Sequence, residues 1–258
     1  MRTALVALLS LAAGGVFSQD ITLTAVRYGM SYYSSEYIFI DDTARSPIEF
    51  HWLFYLLRTS TRVVLIDCGF SDPGMAKRFG VRLQDPVELL EEIGVQPEAV
   101  TDIVATHAHF DHIGNIDRFP NATLWIHANA WQSFLNGPFS VALANAMKKK
   151  VTLSLFTGPI KPFPFMEVIP VEGHAPGSCY IRLNLDDRTI ILTGDEAYLP
   201  ENWQKLRGVG TYVDPARNMK ALQDFNAFSA DPDTSLFTFH DPAIVPEGSP
   251  QAWRQIYP

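Results

Sequence analysis

The sequence predicts an α/β protein in which two mixed β-sheets pack against each other between flanking helices. Strand-like apolar runs and helix-like segments alternate in both halves of the chain, and no internal repeat, long linker or low-complexity tract separates them. The 258 residues suffice for one domain with a large core. A hydrophobic content of 47% with 19% charged residues is a globular balance, not a disordered one.

Residues 1–18 read as an export leader. Met1-Arg2 gives a positive start, positions 4–13 are apolar apart from Ser10, and Val16 and Ser18 stand third and first before a cut at Gln19. That run is too short for a bilayer about 30 Å thick, and no later stretch reaches the ~18 uninterrupted apolar residues of a membrane helix. The expectation is a secreted or periplasmic domain over 19–258 with no stable membrane anchor. Strands are predicted at 21–28, 37–40, 51–58 and 63–66, between clusters of Ser, Asp and Pro. Asp85-Pro86 opens a helix through Leu89, Leu90 and Ile93, and Gly94 ends it. A short buried strand at 103–105 follows, then helices at 129–135 and 141–149. The second half carries strands at 167–171, 179–185 and 189–192. Asp214-Pro215 then opens a helix to about residue 228, and 236–239 is a last strand. A break between halves is expected at 150–164, which holds Pro159, Pro162 and Pro164.

Charge narrows the partners. The formal net charge is -8, and the one basic run is Lys148-Lys149-Lys150, read as the solvated end of a polar helix. Nucleic acid, which needs clustered Lys and Arg along a groove, is not an expected partner. Cys68 and Cys179 are too few for a disulfide scaffold and are read, ahead of a pair, as small packing residues or as groups supporting the motifs below.

The chemistry concentrates in Thr106-His107-Ala108-His109-Phe110-Asp111-His112, directly after the predicted strand at 103–105. A regular strand would place residues 107, 109 and 111 on one face and His112 on the other, so a turn must bring all four ligand-type side chains together. Imidazole and carboxylate donors suit zinc, iron or manganese, and the lack of thiolates argues against a closed structural zinc site. Packed histidines without a metal would repel when protonated and compete for hydrogen bonds when neutral.

This segment resembles the HxHxDH signature of the metallo-β-lactamase superfamily. Further resemblances follow in order: Leu65-Ile66-Asp67-Cys68-Gly69 to the strand ending in Asp-x-Gly, Gly173-His174-Ala175-Pro176-Gly177 to GHxPG, Thr193-Gly194-Asp195 to TGD, and Phe239-His240-Asp241 to the segment of the last His. They span nearly the whole chain after the leader. The resemblance implies an αββα sandwich and two divalent metal ions, zinc first, with iron, manganese or cobalt also fitting. It implies His107, His109 and His174 at one ion, Asp111, His112 and His240 at the other, Asp195 between them, and Asp67 orienting a ligand imidazole from outside. His51 and His127 fit no motif and are read as structural.

Within the superfamily the chain is most similar to the N-acyl-homoserine lactonases. Asp195 stands where zinc β-lactamases commonly have Cys, Tyr198 follows it by three residues, and the tail Thr238-Phe239-His240-Asp241 follows the lactonase pattern. One departure is Ser178, where the lactonase GHxPGH has its second His. The implied partner is a small-molecule lactone or ester, and the implied reaction is ring opening by a hydroxide held between the metals. Asp111 would pass the proton to the leaving oxygen, and Tyr198 would hydrogen-bond the substrate carbonyl. A thioesterase resembling glyoxalase II is the other enzyme reading, weakened because Arg254 alone supplies basic character near the C-terminus. A β-lactamase, a phosphodiesterase and a catalytically silent metal-binding protein complete the alternatives; the last is opposed by every ligand position being filled. No oligomeric state follows from the sequence. Trp52, Phe54 and Phe70 are expected to be core residues.

Overall fold

A computed structural model describes residues 20–137 and 151–258. The leader at 1–18, the helix expected at 141–149 and the Lys148-Lys149-Lys150 run lie outside the described residues. The fold begins with a long hairpin, β1 (Thr22–Ser34) and β2 (Pro47–Arg58), paired antiparallel from Thr22–Arg58 to Ser34–Pro47 with one short helical turn, α1 (Ser35–Ile38), between them. Then come β3 (Val63–Ile66), α2 (Pro73–Phe79), β4 (Arg82–Leu83), α3 (Pro86–Glu92), β5 (Asp102–Val104), α4 (Phe110–Ile113), β6 (Thr123–His127), α5 (Ala128–Asn136) and β7 (Thr152–Phe156). The second half supplies β8 (Ile160–Phe163), β9 (Met166–Pro170), β10 (Cys179–Asn184), β11 (Thr189–Leu192), α6 (Pro200–Gln204), α7 (Pro215–Phe228), β12 (Thr234–Phe237) and β13 (Trp253–Tyr257).

These strands form two mixed sheets. The eight-stranded sheet runs β13-β1-β2-β3-β5-β6-β7, with β4 beside β1; the five-stranded sheet runs β12-β11-β10-β9-β8. β3, β5, β6 and β7 are mutually parallel, as are β11 and β12, while the remaining pairs are antiparallel.

Alternation along each strand divides the core into layers. On β2, Phe50, Trp52, Phe54 and Leu56 face the helices of the first half, while Leu53, Tyr55 and Leu57 face the second sheet. Met166, Val168, Ile181, Leu183, Ile190 and Leu192 meet them from that sheet. Its outer face, through Tyr180 and Ile191, is covered by Trp203, Ala221, Leu222 and Phe225. With both faces covered, the central strands are near-continuous apolar runs, which is why composition alone marks them as strands. The helix starts at Asp85 and Asp214 also match expectation: each is an N-cap followed by Pro, accepting hydrogen bonds from Val87 N or from Ala216 N and Arg217 N.

Three expectations change. Residues 37–40 do not form a strand: 35–38 make a helical turn, and the neighbouring carbonyl of Tyr37 and amide of Ile40 bond Gly210 N and Gly208 O, so a distant segment overrides a β-like composition. The break at 150–164 carries two strands, β7 in the first sheet and β8 in the second, so the chain crosses between sheets there. Pro162 is tolerated because β8 is an edge strand. The strand expected as the last, at 236–239, is β12 at Thr234–Phe237 and is followed by β13; β4, β6 and β13 were not expected. Among the described residues no helix is long and apolar enough to cross a membrane.

Phe54 is fully buried in the layer under the first-half helices. Phe54→Ala is expected to lower unfolding stability by about 3–5 kcal/mol, the usual cost of emptying such a site, read from urea denaturation midpoints. A loss below about 1 kcal/mol would mean that this layer does not hold the sheet.

Candidate metal centre

Parallel neighbours end side by side, and the site is built where two such pairs end. β3 leads into Asp67 and β5 into Thr106, His107 and His109, with α4 carrying Asp111 and His112. The helical turn of α4, not a continued strand, rotates His112 to the same side as its neighbours. From the second sheet, β11 leads into Asp195 on a 3-10 turn and β12 into His240, while the β9–β10 loop carries His174. Thus both sheets contribute, and all the sequence-predicted ligand positions converge.

They converge as two overlapping groups, His107, His109, His174 and Asp195, and Asp111, His112, Asp195 and His240, whose candidate ligand atoms lie within 4.8 Å of one another in each group. His107 Nε2 and His174 Nε2 stand 2.9 and 3.0 Å from His109 Nδ1. Asp195 Oδ2 is 3.7 Å from His107 Nε2 and 3.5 Å from His174 Nε2; its Oδ1 is 3.3 Å from His112 Nε2 and 3.2 Å from His240 Nε2. One carboxylate therefore faces both groups.

The outer hydrogen bonds show which ring nitrogens carry protons. His174 Nδ1 donates to Thr211 O at 2.8 Å and His240 Nδ1 to His51 O at 2.8 Å. His112 Nδ1 donates to Asp67 Oδ2 at 2.6 Å, and His107 Nδ1 has Thr106 Oγ1 at 3.1 Å. With these protons turned outward, the Nε2 atoms of His107, His112, His174 and His240 point inward at one another and at carboxylate oxygens, each a lone-pair donor when its ring is neutral. His112 Nε2 is buried with no hydrogen-bond partner. Lone pairs meeting lone pairs without donors is unfavourable unless a cation lies among them, so the donor set fits metal ions.

Electrostatics point the same way. Burial, aided by His112 and His109, holds the His107 imidazole well below its usual range. Burial and His174 lower that of His109 to about 4. Burial also opposes charge on His112, but Asp195, Asp111 and Asp67 outweigh it and raise its pKa well above the usual value. For Asp195, burial is overcome by His112, His240 and His107, which hold the carboxyl well below its usual range. His107 and His109 are thus held neutral and Asp195 ionised, the forms that bind cations, whereas at His112 the three carboxylates favour a positive charge that a bound cation would replace.

Asp67 is the outer anchor. Its fully buried carboxylate accepts from Thr106 N at 2.8 Å, Thr106 Oγ1 at 2.7 Å and His112 Nδ1. Its φ of +58° lies in the left-handed region, which Asp tolerates better than most residues but at some cost. Through Thr106, whose hydroxyl also faces His107 Nδ1, one carboxylate orients a histidine of each group. Tyr28 Oη donates to Asp111 O at 2.8 Å. Thr106, Tyr28 and Thr211 were not singled out in the sequence, because each acts through a backbone or hydroxyl contact that no ligand spacing reveals.

A cavity of about 250 Å³ opens onto the cluster. Its walls are Tyr33, Phe50, Trp52, Phe79 and Phe110, and its floor includes His109, Asp111, His174, Asp195, Tyr198 and His240. Phe54 and Phe70 are core residues as expected, whereas Trp52 both packs in the core and lines the cavity. Phe50 stacks on His240 with centroids 4.0 Å apart, and Tyr198 Oη lies 3.4 Å from His174 Nδ1. Burial and Asp195 push the Tyr198 phenol well above its usual range, so it remains a donor. Cys68 and Cys179 are buried free thiols. His127 caps α5 by accepting from Asn129 N at 3.2 Å.

The sequence profile of the metallo-beta-lactamase superfamily matches residues 53–240, most of the chain and all of the ligand cluster. The chain belongs to the metallo-beta-lactamase superfamily. Curated relatives include the N-acyl homoserine lactonase AttM of Rhizobium radiobacter, 26% identical over an alignment of 177 residues that covers 62% of this chain and 65% of that protein. The N-acyl homoserine lactonase AiiA of Bacillus thuringiensis subsp. kurstaki is 22% identical over 170 residues, 58% of this chain and 65% of that protein. The match thus spans just under two thirds of these relatives. Among solved structures, a quorum-quenching N-acyl homoserine lactone lactonase superposes with a TM-score of 0.76 at 18% identity, over 87% of this chain and 93% of the other. The dizinc quorum-quenching lactonase AidC, in complex with a product, gives 0.70 at 18% identity over 93% and 95%. At such identities the structures establish a shared fold.

If Asp67 orients ligands of this superfamily fold as its contacts indicate, Asp67→Asn should weaken zinc binding about tenfold to a hundredfold in a chelator competition assay. Unchanged zinc affinity in the folded variant would remove that role.

Proposed function

We propose that this protein is a dinuclear metal-dependent hydrolase that opens the ring of a neutral lactone bearing an apolar acyl group, with N-acyl-homoserine lactones as the first class to test. One observation carries the choice of substrate: the cavity beside the ligand cluster is walled by aromatic rings, and no Lys or Arg is among its described lining residues. β-Lactams, glutathione thioesters and phosphodiesters all bring an anionic group, which protein sites usually meet with a cationic side chain. A neutral lactone needs none. The names of the curated relatives, AttM and AiiA, support the same class.

In this reading His107, His109 and His174 hold one ion, Asp111, His112 and His240 the other, and Asp195 faces both. Zinc is the first expectation, with iron, manganese and cobalt compatible with the same donors. Two divalent ions, when bound, would supply hydroxide at neutral pH and polarise the substrate carbonyl. The protein's own groups do the rest. Tyr198 Oη donates to the carbonyl oxygen and holds it over the cluster. A carboxylate oxygen of Asp111 takes the proton of the attacking water and delivers it to the ring oxygen as the acyl C–O bond breaks, leaving a hydroxy acid. The aromatic walls bury the acyl group and hold the ring in place.

The purified protein loaded with zinc should release acid from short- and long-chain acyl-homoserine lactones and from simple γ- and δ-lactones, and should do so faster than it turns over S-lactoylglutathione, nitrocefin or bis(p-nitrophenyl) phosphate. Turnover confined to a charged substrate would keep the metals and overturn the lactone. Asp111→Asn should abolish lactone opening. Tyr198→Phe should reduce kcat/KM about tenfold, equivalent to about 1.4 kcal/mol of transition-state stabilisation, and an unchanged value would remove Tyr198 from the reaction.

A further inference from the structure

Asp195 is followed in sequence by a second buried acid, Glu196, that joins neither ligand group. Its exposure is 0%, and among the described residues it makes no ion pair with Lys, Arg or His. Four donors surround its carboxylate instead. Oε1 accepts from Gly173 N at 3.0 Å, His174 N at 3.1 Å and Ser178 Oγ at 2.5 Å, and Oε2 accepts from Asn218 Nδ2 at 2.9 Å. Satisfying a buried carboxylate with neutral donors alone is a demanding arrangement, since even one missing donor leaves charge poorly solvated.

The network joins three segments. Asn218, on α7, also donates to Glu196 O at 2.9 Å and accepts from Val209 N at 3.1 Å through Oδ1. Val209 begins the stretch that reaches Thr211, whose carbonyl holds His174 Nδ1. Gly173 is pressed against the same network: a Cβ there would lie 2.6 Å from Asn218 N. The loop closes on itself as Ser178 N bonds Ala175 O at 3.0 Å and as Val171 N and Glu172 N bond Ser178 O. On the inner side, His174 Nε2 stands 3.5 Å from Asp195 Oδ2. On the outer side, Glu196 binds the backbone of His174 from the residue next to Asp195.

We infer that Glu196 is a positioning residue: its carboxylate, seated by Ser178 and Asn218, ties the backbone of His174 to that of Asp195 and so sets the spacing of two metal ligands. The inference rests on the dinuclear reading above. It also gives Ser178 a role, since the hydroxyl at the position where the lactonase pattern has His is the closest of the four donors to the carboxylate. Glu196 touches neither substrate nor metal in this assignment and acts through His174.

Glu196→Gln tests it. The amide can keep its oxygen toward Gly173, His174 and Ser178, which turns its NH2 against Asn218 Nδ2; Asn218 cannot rotate away without releasing Val209 N. Zinc affinity by chelator competition should fall tenfold or more, and the visible spectrum of the cobalt-substituted protein should shift. Adding Asn218→Asp, which offers the amide an acceptor while keeping one for Val209 N, should restore part of the zinc affinity. Ser178→Ala removes a single donor and should show a smaller loss in the same direction, which keeps the test available if Glu196→Gln does not fold. A lower melting temperature with wild-type zinc affinity and an unshifted cobalt spectrum in both variants would overturn the inference, because a tie that served packing alone would give that pattern. Wild-type protein that takes up none of zinc, cobalt, manganese or iron would instead overturn the dinuclear reading, before any variant is compared.

Discussion

The buried carboxylate of Asp67 is the contact on which the rest of the site depends. It lies at the end of β3, in a left-handed conformation that costs on the order of 1–3 kcal/mol, and accepts three hydrogen bonds, two from Thr106 and one from His112. Thr106 stands at the end of the neighbouring parallel strand. The strain is therefore offset by bonds that join two strand ends and fix the orientation of the His112 ring. A charge buried this deeply is stable only while every one of its donors is present, so the local geometry has little freedom to relax.

A chain of similar outer contacts surrounds the inward-facing nitrogens. The carbonyls of Thr211 and His51 take the Nδ1 protons of His174 and His240, and the Tyr28 hydroxyl holds the backbone of Asp111. Each outer bond sets a tautomer, and the tautomers together leave the lone pairs facing the centre. The result is a set of inward-facing donors held in place by the packing of two sheets.

The aromatic cavity follows from the same alternation that builds the core. Phe50 and Trp52 lie on the helix-facing side of β2 with Phe54 and Leu56, so a single strand contributes both the hydrophobic layer and a wall of the cavity. Phe50 stacks directly on His240, which places an apolar surface against a candidate ligand histidine. The cavity wall and the histidine cluster thus share this edge of the sheet. In the second sheet, the corresponding support is polar, through Glu196, Ser178 and Asn218.

Much of the site is written in local sequence. His107, His109, Asp111 and His112 are adjacent, and the ends of apolar strands mark Asp67, Asp195 and His240, because short-range spacing is what places neighbouring side chains at a strand end. Strand and helix composition likewise identifies the central elements, since residues buried on both faces must be apolar. The tertiary structure alone decided that residues 35–38 form a helical turn, that 150–164 carries two strands of different sheets, and that Trp52 lines a cavity. It alone brought Thr211 and Glu196 to His174 and tied Thr106 to Asp67. The physical reason is common to these cases: hydrogen bonds and contacts between segments far apart in the chain overrode or supplemented the local preference, and a single sequence records each residue's preference but not its distant partner.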